Sequence, residues 1–157
     1  MLKNTSEELS GENLKKLKEA EEKYRHLLEN LDVGFYQVTI DGQMLNHNKA
    51  HCTILGYDAS ESLKDKDVRD FWKYPEGREA YIQHILEHGV AKNYVCHALT
   101  KNGEDIIVEL NSHLIRDENG APIRIDGTFI DVTENYNLEK KLRESGKKFR
   151  TLFNSLA

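Results

Sequence analysis

Apolar residues between positions 7 and 31 recur at alternating spacings of three and four. Leu14, Leu17, Tyr24, Leu28 and Leu31 form the series, and polar Glu21 fills one slot. This period predicts an amphipathic helix with the seam of a short coiled coil. Glu12 and Lys16, Glu19 and Lys23, and Glu21 and Arg25 add i,i+4 pairs in the favourable orientation. At Gly34 the period shortens to two. Residues 34–40, rich in aromatic and β-branched side chains, read as a strand; Asp41-Gly42 reads as a type I′ hairpin turn, and residues 43–47 as the returning strand. Residues 48–55 predict a short helix stopped by Gly56. The pattern over 60–89 is helical with interruptions. It breaks at Tyr74-Pro75 and resumes over 76–88, with Pro75 in the first turn and Gly89 at the end.

Three further strands are predicted over 93–101, 105–115 and 123–132. Asn102-Gly103 and Glu118-Asn119-Gly120 punctuate them. Thr133 is placed to N-cap a last helix whose apolar series is Leu138, Leu142, Phe149, Leu152 and Leu156, with Ser145 in step. Gly146 is its weak point, at a cost of about 1 kcal/mol relative to alanine. Two strands, a helical stretch and three strands joined by tight hairpins are incompatible with a parallel βαβ fold. They predict an α+β domain with an antiparallel sheet and helices on one face.

The phrase Lys23-Tyr24-Arg25-His26-Leu27-Leu28-Glu29-Asn30-Leu31 returns 125 residues later as Lys148-Phe149-Arg150-Thr151-Leu152-Phe153-Asn154-Ser155-Leu156. That offset is about one small domain and too long for a solenoid repeat. The expected organisation is an entry helix over 1–31, a core domain over 32–133, and an exit helix over 134–157 that runs into the opening of a second module. The chain is then a piece of a longer tandem array.

Charge sharpens this division. The net charge is −5, distributed as −1 over residues 1–31, −7 over 32–133 and +3 over 134–157. An acidic core argues against a nucleic-acid partner, because phosphate contacts are made by lysine and arginine. The two cysteines, Cys52 and Cys96, form no disulfide framework and no Cys-x-x-Cys pair. Without a membrane-length apolar run or a signal-peptide pattern, the expected location is cytoplasmic, although the longer protein could be anchored elsewhere. Hydrolase, P-loop and kinase motifs are all missing, so the chain itself is expected to be non-enzymatic.

Several segments in this order resemble the PAS sensory domain. They are 35–40 with Asp41-Gly42, Asn48-Lys49-Ala50, Leu55-Gly56-Tyr57, Asp70-Phe71-Trp72, Tyr74-Pro75-Glu76 with Arg78, Lys101-Asn102-Gly103, and the closing run from Gly127 to Glu134. The repeated phrase is similar to the entry segment of such modules. The resemblance implies a five-stranded antiparallel sheet in order 2-1-5-4-3, helices enclosing a cavity on one face, and flanking helices that pair in a homodimer. It also implies relay of a signal along the exit helix to further PAS domains and to kinase, cyclase or other outputs, with a histidine kinase of a prokaryotic two-component system as the leading expectation.

By the same resemblance, the cavity is expected to be lined by Phe35 and by inward positions of three strands: Tyr94, Cys96 and Ala98; Ile106, Val108 and Leu110; Ile125, Gly127 and Phe129. Phe71, Trp72, Tyr81 and Ile85 are expected to close it. Asp131 and Thr133 mark the relay joint, and Arg78 is a candidate for orienting a ligand through its charged fork. Family members bind haem, flavin, small organic molecules or nothing, so the cofactor is left open. The Asn-Cys-Arg-Phe-Leu-Gln segment of flavin photoreceptors is absent. Ala98, Val108 and Phe129 occupy the positions of flavin-bonding Asn and Gln residues. Oxygen-sensing haem modules carry their ligand three residues before a Tyr-Ile pair. Here Tyr81-Ile82 is preceded at that distance by Arg78, which leaves His84 or His88 in a shifted register. The pairs His84/His88 and His47/His51, the latter beside Cys52, fall short of a metal ligand set, so no metal is expected. Cys96 reads as a small buried apolar group rather than a reactive thiol. A sensor with a mainly apolar ligand cavity is the leading expectation. A ligand-free dimerisation spacer and a haem-bearing gas or redox sensor are the alternatives.

Overall fold

A computed structural model describes residues 2–156. The chain divides between Asp32 and Val33 into two units. The first is helix α1 (Leu2–Glu29), on which Leu14, Leu17 and Tyr24 are exposed.

The second unit runs β1 (Gly34–Val38), β2 (Met44–His47), α2 (Lys49–Ile54), a 3₁₀ turn (Val68–Phe71), α3 (Pro75–His88), β3 (Val90–Leu99), β4 (Asp105–Arg116), β5 (Pro122–Asp131) and α4 (Thr133–Leu156). All neighbouring strands are antiparallel, in the order β2-β1-β5-β4-β3. This is the sheet expected from the sequence. Its last strand in the chain is its central one, flanked by β1 and β4.

The three hairpins share one geometry. Thr39 N–H bonds Gln43 C=O, Thr100 bonds Glu104, and Asp117 bonds Ala121 in the same way, each closing a three-residue loop. The third loop residue is Gly42, Gly103 or Gly120, with φ of 102°, 80° and 82°. These are therefore type I turns with a left-handed glycine, not the two-residue type I′ turn expected at Asp41-Gly42.

Helical order over 60–89 is narrower than expected and confined to the 3₁₀ turn and α3. Around residue 60 the backbone is captured by side chains instead. Asp58 Oδ1 accepts the Ser60 N–H, and Glu61 Oε2 accepts that of Asp58. Such local bonds compete with helix formation. α3 begins at Pro75 and ends at Gly89 in the left-handed conformation, as its sequence predicts.

Asn48 is the junction of the compact unit. It caps α2 by accepting the His51 N–H at 3.0 Å, accepts the Phe35 N–H at 2.9 Å, and donates to the Val33 carbonyl at 2.9 Å. One side chain that is 1% exposed thereby fixes α2 against the start of β1.

Candidate functional site

Between the sheet and its helices lies a cavity of about 80 Å³. Its floor is the inner sheet face: Tyr36 and Val38 of β1, Met44 of β2, Cys96 and Ala98 of β3, Val108 and Leu110 of β4, and Ile125 and Phe129 of β5. Strand alternation places these side chains on one side. The roof is His51 of α2, Leu55 just after its end, Val68 and Phe71 of the 3₁₀ turn, Trp72, and Arg78, Tyr81 and Ile82 of α3.

Polar groups in this wall are few and mostly paired. Tyr81 Oη donates to Ser112 Oγ at 2.7 Å, and Tyr36 Oη hydrogen-bonds the same oxygen. The network is buried, and burial pushes the Tyr36 hydroxyl well above the ordinary phenol range, so both rings stay neutral. Burial also pushes the Cys96 thiol up to about 12, so it sits in the wall as a protonated, unreactive group. Arg78 is half-buried at the edge, and its Nη2 donates to the Ile40 carbonyl at 3.1 Å.

His51 is 4% exposed and meets Phe129 edge-on, with ring centroids 4.8 Å apart. Its Nδ1 lies 3.1 Å from the Phe35 carbonyl. Burial, then the neighbouring His47, lower its pKa to about 3. It is neutral throughout the physiological range.

The structure brings Phe71, Trp72, Tyr81, Cys96, Ala98, Val108, Leu110, Ile125, Phe129 and Arg78 to the cavity as expected from the sequence, and moves five others away from it. Phe35 is one residue out of phase: β1 is buried on both sides, so Tyr36 faces inward and Phe35 packs on the opposite face. Gly127 lies beneath Tyr36, its register partner, and makes room for that ring. Ile85 is fully buried among the core side chains, outside the cavity lining. Tyr94 packs against Tyr81, at a centroid distance of 5.2 Å, and Ile106, the strand partner of Ala98, is buried in the core outside the lining.

His84 and His88 stack on each other at 4.4 Å outside the cavity wall, and His88 Nδ1 lies 3.0 Å from the His84 carbonyl oxygen. Neither fits a haem ligand for this cavity. His47 is engaged elsewhere, its Nε2 accepting the Leu63 N–H at 2.9 Å. Among the described residues no group of three potential metal ligands comes together.

The sequence reading weighed His51 only as a metal ligand beside His47, and it missed Tyr36 and Ser112. Ser112 had a signal: it continues the inward alternation of Ile106, Val108 and Leu110 as a polar residue. His51 had a weaker one, three residues after a helix-capping asparagine.

At the far end of β5 the sheet passes to α4 within two residues. Val132 N–H bonds the Ile107 carbonyl of β4 at 2.8 Å, and Ile107 N–H is accepted by Thr133 Oγ1 at 2.9 Å. Thr133 is therefore the first helical residue and is clasped to β4, rather than acting as the cap. The acceptor at the helix entrance is Asp131 Oδ1, 2.9 Å from the Thr133 N–H.

A family model described as PAS domain matches residues 32–134. The chain belongs to the PAS family. Solved structures similar to this PAS chain include a sensory box histidine kinase/response regulator from Burkholderia thailandensis E264. It is 20% identical with a TM-score of 0.64, over 82% of this chain and 98% of that one. A domain of the sensory box sensor histidine kinase/response regulator from Geobacter sulfurreducens is 25% identical, with a TM-score of 0.57 over 73% and 96% of the two chains. A probable diguanylate cyclase of Escherichia coli strain K12 is 27% identical over 124 residues. That match covers 76% of this chain and 11% of the cyclase.

This PAS domain is a sensory signalling module. No helix among the described residues is long and apolar enough to cross a membrane.

Proposed function

We propose that this PAS domain binds a small, mainly apolar ligand in the cavity and relays its occupancy through α4 to an output domain, a histidine kinase in the leading reading. The observation that carries the proposal is continuity: Ile125 and Phe129 line the cavity on the same strand that ends at the α4 junction. A ligand that shifts β5 acts on the start of α4 through Asp131 and Thr133. The kinase-derived neighbours support this output, and the diguanylate cyclase relative supports a cyclase as the second reading. Pairing through the flanking helices would supply the relay's geometry. It is supported by the exposed apolar residues of α4, among them Leu142, Phe149, Leu152 and Leu156.

Native mass spectrometry of gently purified protein, with an absorbance spectrum, tests the binding step. An adduct of a small organic mass lost on unfolding is the expected result. A ligand-free mass that no added small apolar compound changes would favour the spacer reading.

The relay step is tested at Thr133. Thr133→Ala removes the acceptor for the Ile107 N–H, and a lost bond of this kind costs about 1–2 kcal/mol. Hydrogen exchange is expected to quicken about tenfold or more at Ile107 and through residues 134–140, while the sheet stays folded. Unchanged exchange there would remove Thr133 as a coupling point.

A further inference from the structure

His51, one of the residues that line the cavity, carries a buried ring nitrogen that the network above leaves unused. His51 Nδ1 faces the Phe35 carbonyl, which can only accept, so the ring hydrogen resides on Nδ1 and Nε2 presents a bare lone pair. Nε2 is buried and has no hydrogen-bond partner. The ring lines the cavity, and Phe71 and Phe129, both cavity residues, meet it edge-on. Tyr36 and Tyr81 of the wall share Ser112 as their partner, and Arg78 donates to the Ile40 carbonyl. A buried acceptor left unpaired is costly, and such groups in native proteins are normally met by a donor.

The ring is also rigidly aimed. Asn48 holds the His51 backbone N–H, Phe35 holds Nδ1, and the aromatic neighbours fix the plane. Depression of the His51 pKa to about 3 keeps the lone pair available at every physiological pH. The surrounding rings of Tyr36, Phe71, Trp72 and Phe129 favour a flat, apolar body that meets them edge-on or offset. The small volume admits a single ring better than a fused system.

Resting on the ligand-binding reading above, we propose that His51 Nε2 is the specificity-determining acceptor of this cavity, and that its ligand is an uncharged, single-ring aromatic bearing one O–H or N–H donor.

The test uses three probes on the full chain: phenol, toluene (a methyl in place of the hydroxyl) and benzoate. Binding is read by calorimetry and by the ¹⁵N resonance of His51 Nε2. Phenol is expected to bind and to move that resonance, whereas toluene leaves it in place. In His51→Phe, phenol affinity is expected to fall about tenfold, the equivalent of one lost hydrogen bond, while toluene changes by less than about threefold. Equal losses for both probes, or an Nε2 resonance unmoved by phenol, would overturn the role of His51 while leaving a ligand cavity. Benzoate binding more tightly than phenol would overturn it in favour of Arg78. If no probe binds the unmodified chain, the cavity-ligand reading itself fails. Should His51→Phe not fold, the resonance in the unmodified chain decides alone.

Discussion

Asn48→Ala is expected to destabilise the domain by about 3 kcal/mol, the sum of a lost helix cap and buried groups left unpaired. The Phe35 N–H, the Val33 carbonyl and the His51 N–H all lose the same partner at once. Alanine fills none of the three positions, and water has little access to a site that is 1% exposed. Asn48→Asp should be informative beside it. A carboxylate keeps both acceptor roles but faces the Val33 carbonyl with a second oxygen, so part of the loss persists. Urea unfolding followed by circular dichroism measures both, with an unchanged slope marking a stability effect alone. An alanine variant within about 1 kcal/mol of the parent would show that α2 is held by packing and not by Asn48.

The second large effect is expected at Gly127. A Cβ there would lie 2.5 Å from Tyr36 Oη and 2.8 Å from the Asn111 carbonyl oxygen. The Tyr36 ring is held by Ser112, and the carbonyl belongs to β4, so neither yields freely. Gly127→Ala should therefore force Tyr36 off Ser112 or spread the β4–β5 pair, at a cost of about 2–3 kcal/mol. A double-mutant cycle separates the two. If the ring is the obstacle, the glycine substitution should cost much less in a Tyr36→Ala background, because the obstructing ring is already gone. Purely additive losses would place the strain in the backbone contact with Asn111. A fully tolerated Gly127→Ala would mean that Tyr36 has room to move that its packing does not suggest.

Both sites show where sequence reasoning reached and where it stopped. The period change at Gly34, the three glycine-bearing hairpins and the Pro75–Gly89 limits of α3 are local properties. They depend on backbone sterics and on which residues tolerate a left-handed φ, so the chain announces them without tertiary contacts. The alternation along β3, β4 and β5 likewise gave the inward phase of Cys96, Ala98, Val108, Leu110, Ile125 and Phe129. It failed at β1. There Phe35 and Tyr36 are both aromatic and both buried, and period-two alternation carries no phase when each face is covered.

The sequence by itself determined the α+β class, the three hairpin pairings, the exit helix and, through ordered motifs, the PAS family, whose resemblance implied the rest of the strand order. Only the tertiary structure decided which polar atoms meet. Tyr36, Tyr81 and Ser112 are separated by up to 76 positions in the chain. Thr133 reads as a helix cap from its neighbours alone, yet its hydroxyl is taken by an amide 26 residues earlier. The bare nitrogen of His51 exists because Asn48 turns α2 so that one ring nitrogen meets β1 and the other is left without a partner. Periodicity reports which side a residue faces; hydrogen bonds between distant segments depend on distances and directions that only the folded chain sets.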